Sequence, residues 1–268
     1  MGRVIVITSG KGGVGKTTLT ANLGTALARL GRSVAVVDAD FGLRNLDLLL
    51  GLENRVVYTA LEVIAGECRL EQALVKDKRT PNLSLLPAAQ TRNKTAVNPE
   101  QMRQLMEKLA GSYDYVLIDC PAGIEQGFRN AIAGATEALL VTTPEVAAVR
   151  DADRVVGLLE AAGISSIQLI VNRLRPDMVT AGQMMAVEDV VEVLAIPLVG
   201  MIPEDREVIV STNKGEPMVL AARPSPAAQA IQRIARRLEG EVVEFPKLAG
   251  LGESFWEKAR RFLGQKVF

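Results

Sequence analysis

The 268-residue chain is 48% hydrophobic and carries 31 basic and 31 acidic side chains, enough apolar material for one large core and no overall charge with which to attract nucleic acid. It contains no histidine, which removes His-based acid–base catalysis and His-ligated zinc, and its two cysteines, Cys68 and Cys120, are too far apart for a CxxC site or a disulfide framework. The opening apolar run is too short to span a membrane or to act as a signal peptide, and Val6 stands where N-myristoylation wants Ser or Thr, so a cytoplasmic protein is expected.

In chain order, β-branched runs predict strands at Val4–Thr8, Ser33–Asp38, Leu83–Leu86, Tyr115–Asp119, Ala138–Thr142, Ile167–Asn172 and Leu198–Ile202. Their apolar positions run on without alternation, as in strands buried on both faces of a parallel sheet. Helical patterns lie between them at Lys16–Leu30, Pro99–Ala110, Val146–Ala162, Val187–Leu194 and Pro224–Leu238. Gly31 and Gly163 stand where a helix C-terminus prefers glycine. Strand and helix alternating at this spacing predict right-handed crossovers and a doubly wound α/β sheet, whose ligands bind at the carboxyl ends of the strands. There is no internal repeat, no low-complexity segment and no Pro/Gly/Ser-rich linker; residues 1–244 are expected to form one domain.

The segment Gly10-Lys11-Gly12-Gly13-Val14-Gly15-Lys16-Thr17-Thr18 follows the first strand and opens the first helix. It matches the Walker A pattern: the glycines let backbone N–H groups curl around phosphates, Lys16 meets the outer phosphates, and the Thr17 hydroxyl can ligate Mg2+. Gly10, Gly12 and Gly15 also spell G-x-G-x-x-G, with Asp38 ending the next strand as a dinucleotide-binding acid would. Lys16-Thr17 has no use in a dinucleotide site, however. The apolar strand Val116-Leu117-Ile118-Asp119 ends in an acid of the Walker B kind, which joins the magnesium shell, so the triphosphate reading is preferred. Guanine-specific proteins carry Asn-Lys-x-Asp on a late strand; here Asn172-Arg173-Leu174-Arg175 lacks the final acid, which favours ATP. Asn172 is then either a contact to the base or an ordinary strand-end turn residue.

Lys11, an extra lysine early in the loop, is the mark of the deviant Walker A motif, and the chain resembles the MinD/ParA family of P-loop ATPases. The resemblance is nearly full length and strongest to its MinD branch, through Asp38–Asp47, Lys76–Thr80, Leu86–Ala88, Pro121–Glu125 and Ile202–Asp205. It implies a homodimer sandwiching two ATP, with Lys11 of each subunit reaching the partner's phosphates, although a solvated loop lysine is the plainer reading of the residue alone. It further implies that Asp40 positions the attacking water, that Asp38 lies near Mg2+, and that Asp119 and Gly123 sense the γ-phosphate. Pro203, Glu204 and Asp205, with Asn172, would border the adenine. The segment Val149–Arg154 resembles the helix on which such proteins meet their regulators, a MinC-like inhibitor and a MinE-like activator. The activity implied is slow ATP hydrolysis that places the division site.

Residues 245–268 read differently. On a helical wheel, Leu248, Phe255, Ala259 and Phe262, flanked by Trp256, Leu263 and Val267, oppose Glu253, Glu257, Lys258, Arg260 and Arg261. Residues 247–268 carry five basic and two acidic side chains, net +3, against −3 for the rest of the chain. Such a helix either packs on the domain or lies on an anionic membrane surface, and the resemblance favours the membrane, giving a peripheral protein on the inner face of the cell membrane. One such tail binds weakly, and two held in an ATP dimer gain on the order of 10²-fold by avidity. Two other functions compete. A ParA-like DNA-partitioning ATPase would need a basic surface and no apolar tail. A cluster-bearing reductase would need paired cysteines, whereas Cys120 reads as a small apolar residue beneath the Walker B strand and Cys68 as lying on a surface helix.

Overall fold

The computed structural model describes residues 1–90 and 97–246. Its centre is an eight-stranded sheet made of β1 (Arg3–Thr8), β2 (Val34–Asp38), β3 (Val75–Lys76), β4 (Leu83–Leu86), β5 (Tyr115–Asp119), β6 (Glu137–Thr142), β7 (Ser166–Leu174) and β8 (Leu198–Pro203). The spatial order is β3-β4-β2-β5-β1-β6-β7-β8, parallel throughout except where β3 pairs antiparallel with β4. The helices are α1 (Lys16–Arg29), α2 (Leu46–Leu49), α3 (Ala60–Ala65), α4 (Leu70–Ala73), α5 (Pro99–Ala110), α6 (Gln126–Ile132), α7 (Val146–Ala161), α8 (Pro176–Thr180), α9 (Val187–Leu194), α10 (Glu207–Lys214) and α11 (Pro226–Leu238).

The expected doubly wound sheet is the fold observed, and all seven expected strands are present within two residues at either end. Edge strand β3 was not anticipated, because two residues carry no periodicity. The short helices α2, α3, α4, α6 and α8 also fell below what a 3.6-residue repeat can show, and α10, as long as the expected α9, was not anticipated either. Cys68 lies in the bend between α3 and α4 rather than on a helix, which corrects the expectation for it.

Burial of the strands on both faces explains their unbroken apolar runs. Along β1, Val4 and Val6 enter one core with residues of α5, α7 and α9, while Ile5 and Ile7 enter another with residues of α1 and α11. One strand thus feeds two layers, and truncating one of its buried aliphatics would cost roughly 2–5 kcal/mol.

The chain leaves β1 through α1 to β2, passing over the place later filled by β5, and then crosses to the other side of β1 to form β6. That reversal puts the crevice of the fold at the carboxyl end of β1, where the glycine-rich segment begins. At the far end of the domain, the Arg237 guanidinium donates to the carbonyls of Val199, Val243 and Glu244 and stacks 3.8 Å from the Phe245 ring. Residues 247–268, read above as an amphipathic membrane segment, lie outside the described residues.

Candidate functional site: a phosphate loop at the sheet's reversal

β1 ends in buried Thr8, buried Ser9 follows it, and the loop then turns outward, with Lys11, Gly12 and Gly13 exposed. Gly15 has φ +101°, and a Cβ there would stand 2.5 Å from the Asn172 amide nitrogen, so both backbone angle and space require glycine. Gly10 is fixed by a different neighbour: a Cβ on it would strike the Asp151 backbone of α7 at 2.3 Å. Gly15 is also the N-cap of α1, yet no side chain caps this 14-residue helix and its first turn holds no acid. By contrast, Thr59, Asn98 and Ser225 cap α3, α5 and α11. An uncapped N-terminus behind a glycine loop leaves N–H donors and a positive helix end for an anion.

Lys16 is buried, and its ammonium donates to the Ser9 hydroxyl at 3.0 Å, which holds it beneath the loop. Asp119, at the end of β5, is buried next to it. Burial raises the Asp119 pKa, and the Asp38 charge raises it further, against the hydroxyls of Thr17 and Thr20 and the charge of Lys16. The Thr20 hydroxyl lies 3.3 Å from Asp119 Oδ1. Asp38 is opposite Asp119 in the β2–β5 register and is also buried. Its pKa is pushed up to about 6 by burial, against hydrogen bonds donated by the backbone N–H groups of Asp40, Leu46 and Asn45.

This donor set fits a magnesium nucleotide. Burial disfavours the ionised form of both neighbouring carboxyls, a cost that a cation beside them would offset, and Thr17 supplies a hydroxyl next to Asp119. Among the described residues no three His, Cys, Asp or Glu side chains gather as a metal cluster. Thr17 and one or two of these carboxylates, with phosphate oxygens, would hold Mg2+, and Lys16 and the loop N–H groups would receive the phosphates. Magnesium there would neutralise charge on the outer phosphates.

The other expected residues divide into near and far. Asp40 is half-buried after Asp38, close enough for its charge to bear on Asp38 and Cys120. Gly123 lies in the β5–α6 loop with φ +90°, and Ala122 of that loop is 3.6 Å from where a Gly12 Cβ would be. Asn172 touches the loop directly, donating from Nδ2 to the Val14 carbonyl at 2.7 Å. Pro203 ends the neighbouring strand and Glu204 follows it, exposed and 3.7 Å from Arg175. Asp205 follows Glu204 and anchors two helix starts. Its Oδ1 accepts from Glu207 N and its Oδ2 from Ala227 N, so one carboxylate holds the starts of both α10 and α11. Lys11 stands apart on the rim, with Nζ 3.5 Å from Glu145 Oε2 and both side chains about half exposed. Ser9, Thr20 and Glu145 were not anticipated, because each becomes meaningful only once the fold sets another element beside it. Thr20 alone had a signal, lying one turn beyond Thr17 on the same helix face.

The family model described as ParA, NUBPL iron-transfer P-loop NTPase, matches residues 1–239. Cys68 and Cys120 are both free, and burial pushes the Cys120 thiol up to about 12. The septum site-determining protein MinD of Synechocystis is 62% identical over 263 residues, spanning 98% of this chain and 99% of the relative. The MinC:MinD cell division protein complex of Aquifex aeolicus superposes with a TM-score of 0.85 at 51% identity, covering 92% of this chain and 100% of that one. The septum site-determining protein MinD of Pyrococcus horikoshii complexed with Mg-ADP gives 0.82 at 36% identity, covering 89% and 96%. The phosphate loop with its second lysine, the paired buried carboxyls and these near full-length likenesses lead to one assignment: the chain belongs to the MinD family of septum site-determining P-loop NTPases.

Proposed function

We propose that the protein is a Mg2+-dependent ATPase that dimerises around two ATP molecules and acts as a membrane-bound placer of the division septum. Lys11 carries the reading. It sits on the outer face of a loop whose inner face already has Lys16, and its own-chain tie to Glu145 is long and exposed, worth at most about 1 kcal/mol. It is therefore free to leave for a stronger anion, the phosphates of a second subunit's nucleotide. Lys16 then holds the outer phosphates, Thr17 and Asp119 serve the magnesium, and Asp40 orients the attacking water. Asn172, Pro203, Glu204 and Asp205 border the adenine. Catalysis of this kind is mostly positioning and charge neutralisation, so a lone subunit without a second lysine hydrolyses slowly.

In this reading the dimer brings two C-terminal segments, residues 248–263, to one anionic membrane surface. Avidity then makes attachment depend on ATP, and the protein is cytoplasmic with ADP and peripheral on the inner membrane face with ATP. The Aquifex complex supports a MinC-like inhibitor as partner. The exposed face of α7, with Val146, Arg150, Asp153, Arg154 and Leu158, is the surface offered to it and to a MinE-like activator that ends attachment by stimulating hydrolysis. Sedimentation with vesicles of anionic phospholipid tests the coupling. The protein is expected to pellet with a non-hydrolysable ATP analogue and stay in solution with ADP; equal pelleting in both would refute it.

A further inference from the structure

Asn172 uses both ends of its amide within its own chain. Nδ2 donates to the Val14 carbonyl at 2.7 Å, while Oδ1 accepts the Arg173 N–H at 2.9 Å. Arg173 holds φ at +57°, a region an L side chain enters reluctantly, and strand pairing with β8 is irregular between Val171 and Leu174. Beyond it, the Leu174 carbonyl accepts Glu204 N–H at 3.0 Å, which ties this turn to the end of β8. On the other side, the Val14 side chain is buried, and Gly15 leaves the space that the amide occupies. A strained turn is kept where the surrounding structure demands it, and here it delivers one amide to one carbonyl.

The geometry points to Asn172 as a positioning residue for the phosphate loop, acting whether or not a base is bound. The Val14 carbonyl and the Gly15 N–H belong to a single rigid peptide plane and point to opposite sides of it. Holding the carbonyl therefore fixes the direction of the Gly15 N–H, the donor at the start of α1. The wall of the base pocket and the floor of the phosphate site are joined through this side chain. The inference rests on the phosphate-loop reading alone, and not on the dimer or the membrane.

Calorimetric titration of the full-length protein with Mg2+-ATP and with Mg2+ inorganic triphosphate, which has no base, separates positioning from base contact. Asn172→Asp replaces the donor by an oxygen facing the Val14 carbonyl and is expected to weaken both ligands by the same factor, about tenfold. Asn172→Ala removes the donor, together with the acceptor of the Arg173 N–H, without setting an oxygen against the Val14 carbonyl; it weakens both ligands less and serves as the readout if the Asp variant melts early. Arg173→Gly, whose backbone takes the turn freely, keeps both affinities. ATP weakened with triphosphate unchanged would overturn the inference in favour of a plain base contact, as would no change in either. Failure of the wild-type protein to bind either ligand would instead overturn the phosphate-loop reading.

Discussion

Asp38 and Asp119 lie opposite one another on adjacent strands, both buried, and the same burial that suits them to a cation works against the nucleotide-free protein. In the unfolded chain each titrates near 3.8; in the folded one Asp38 is pushed up to about 6, and Asp119 is raised by burial and by the Asp38 charge. Below 3.8 both are protonated in either state and no stability is lost. As pH rises through the folded values, the unfolded chain sheds its protons first, and folding stability falls. The melting temperature of the nucleotide-free protein should therefore decline from about pH 4 upward, through about pH 6 for Asp38 and on to about pH 8 for Asp119, and Mg2+-nucleotide should flatten the decline. A profile that is flat or rising without nucleotide would show that the pair is already compensated. At this scale the phosphate loop was legible in the sequence, because backbone donors around a phosphate demand glycines and a lysine in one short run. Ser9, Thr20 and Glu145 were not, since a Ser, Thr or Glu means little until a strand or helix is set against it.

Among the elements, the long ones were legible and the short ones were not. Strand β2 and helix α5 announce themselves by their apolar patterns, and in the structure Asn98 caps α5 by accepting the Gln101 N–H. The two-residue β3 and the four-residue α2 and α4 form because their neighbours hold them. The Asp38 carboxylate accepts the N–H groups that open α2, and Arg79 donates to the Leu50 carbonyl just past its end. Asp205 is a second case. It was expected at the adenine, and in the structure both its oxygens receive helix-starting N–H groups. Burial opposes its ionisation, but the hydrogen bonds from Glu207, Ser225 and Ala227 outweigh that and keep its pKa below the usual value. Asp205→Ala should lower unfolding free energy by about 1–2 kcal/mol in urea at neutral pH. The difference should shrink as pH falls through the carboxyl's folded-state pKa. An unchanged urea midpoint would show that these caps add nothing.

For the whole molecule, the helix layers on either face of the sheet were implied by strand–helix alternation, whereas the strand order, and with it the reversal beside β1, came only from the structure. Sequence also marked Lys11 as unusual, and the structure adds where it waits, on the rim against Glu145. A cation so weakly held, above a site already furnished with Lys16, makes sense in an assembly of two, in which ATP joins the subunits through Lys11. Light scattering reads that assembly directly, as the mass of the full-length protein with a non-hydrolysable ATP analogue and with ADP, for wild type and Lys11→Ala. A dimer is expected only for wild type with the ATP analogue, and monomers in the other three samples. A Lys11→Ala protein that dimerises as readily as wild type, or a wild type that stays monomeric with the ATP analogue, would rule out the ATP-bridged dimer.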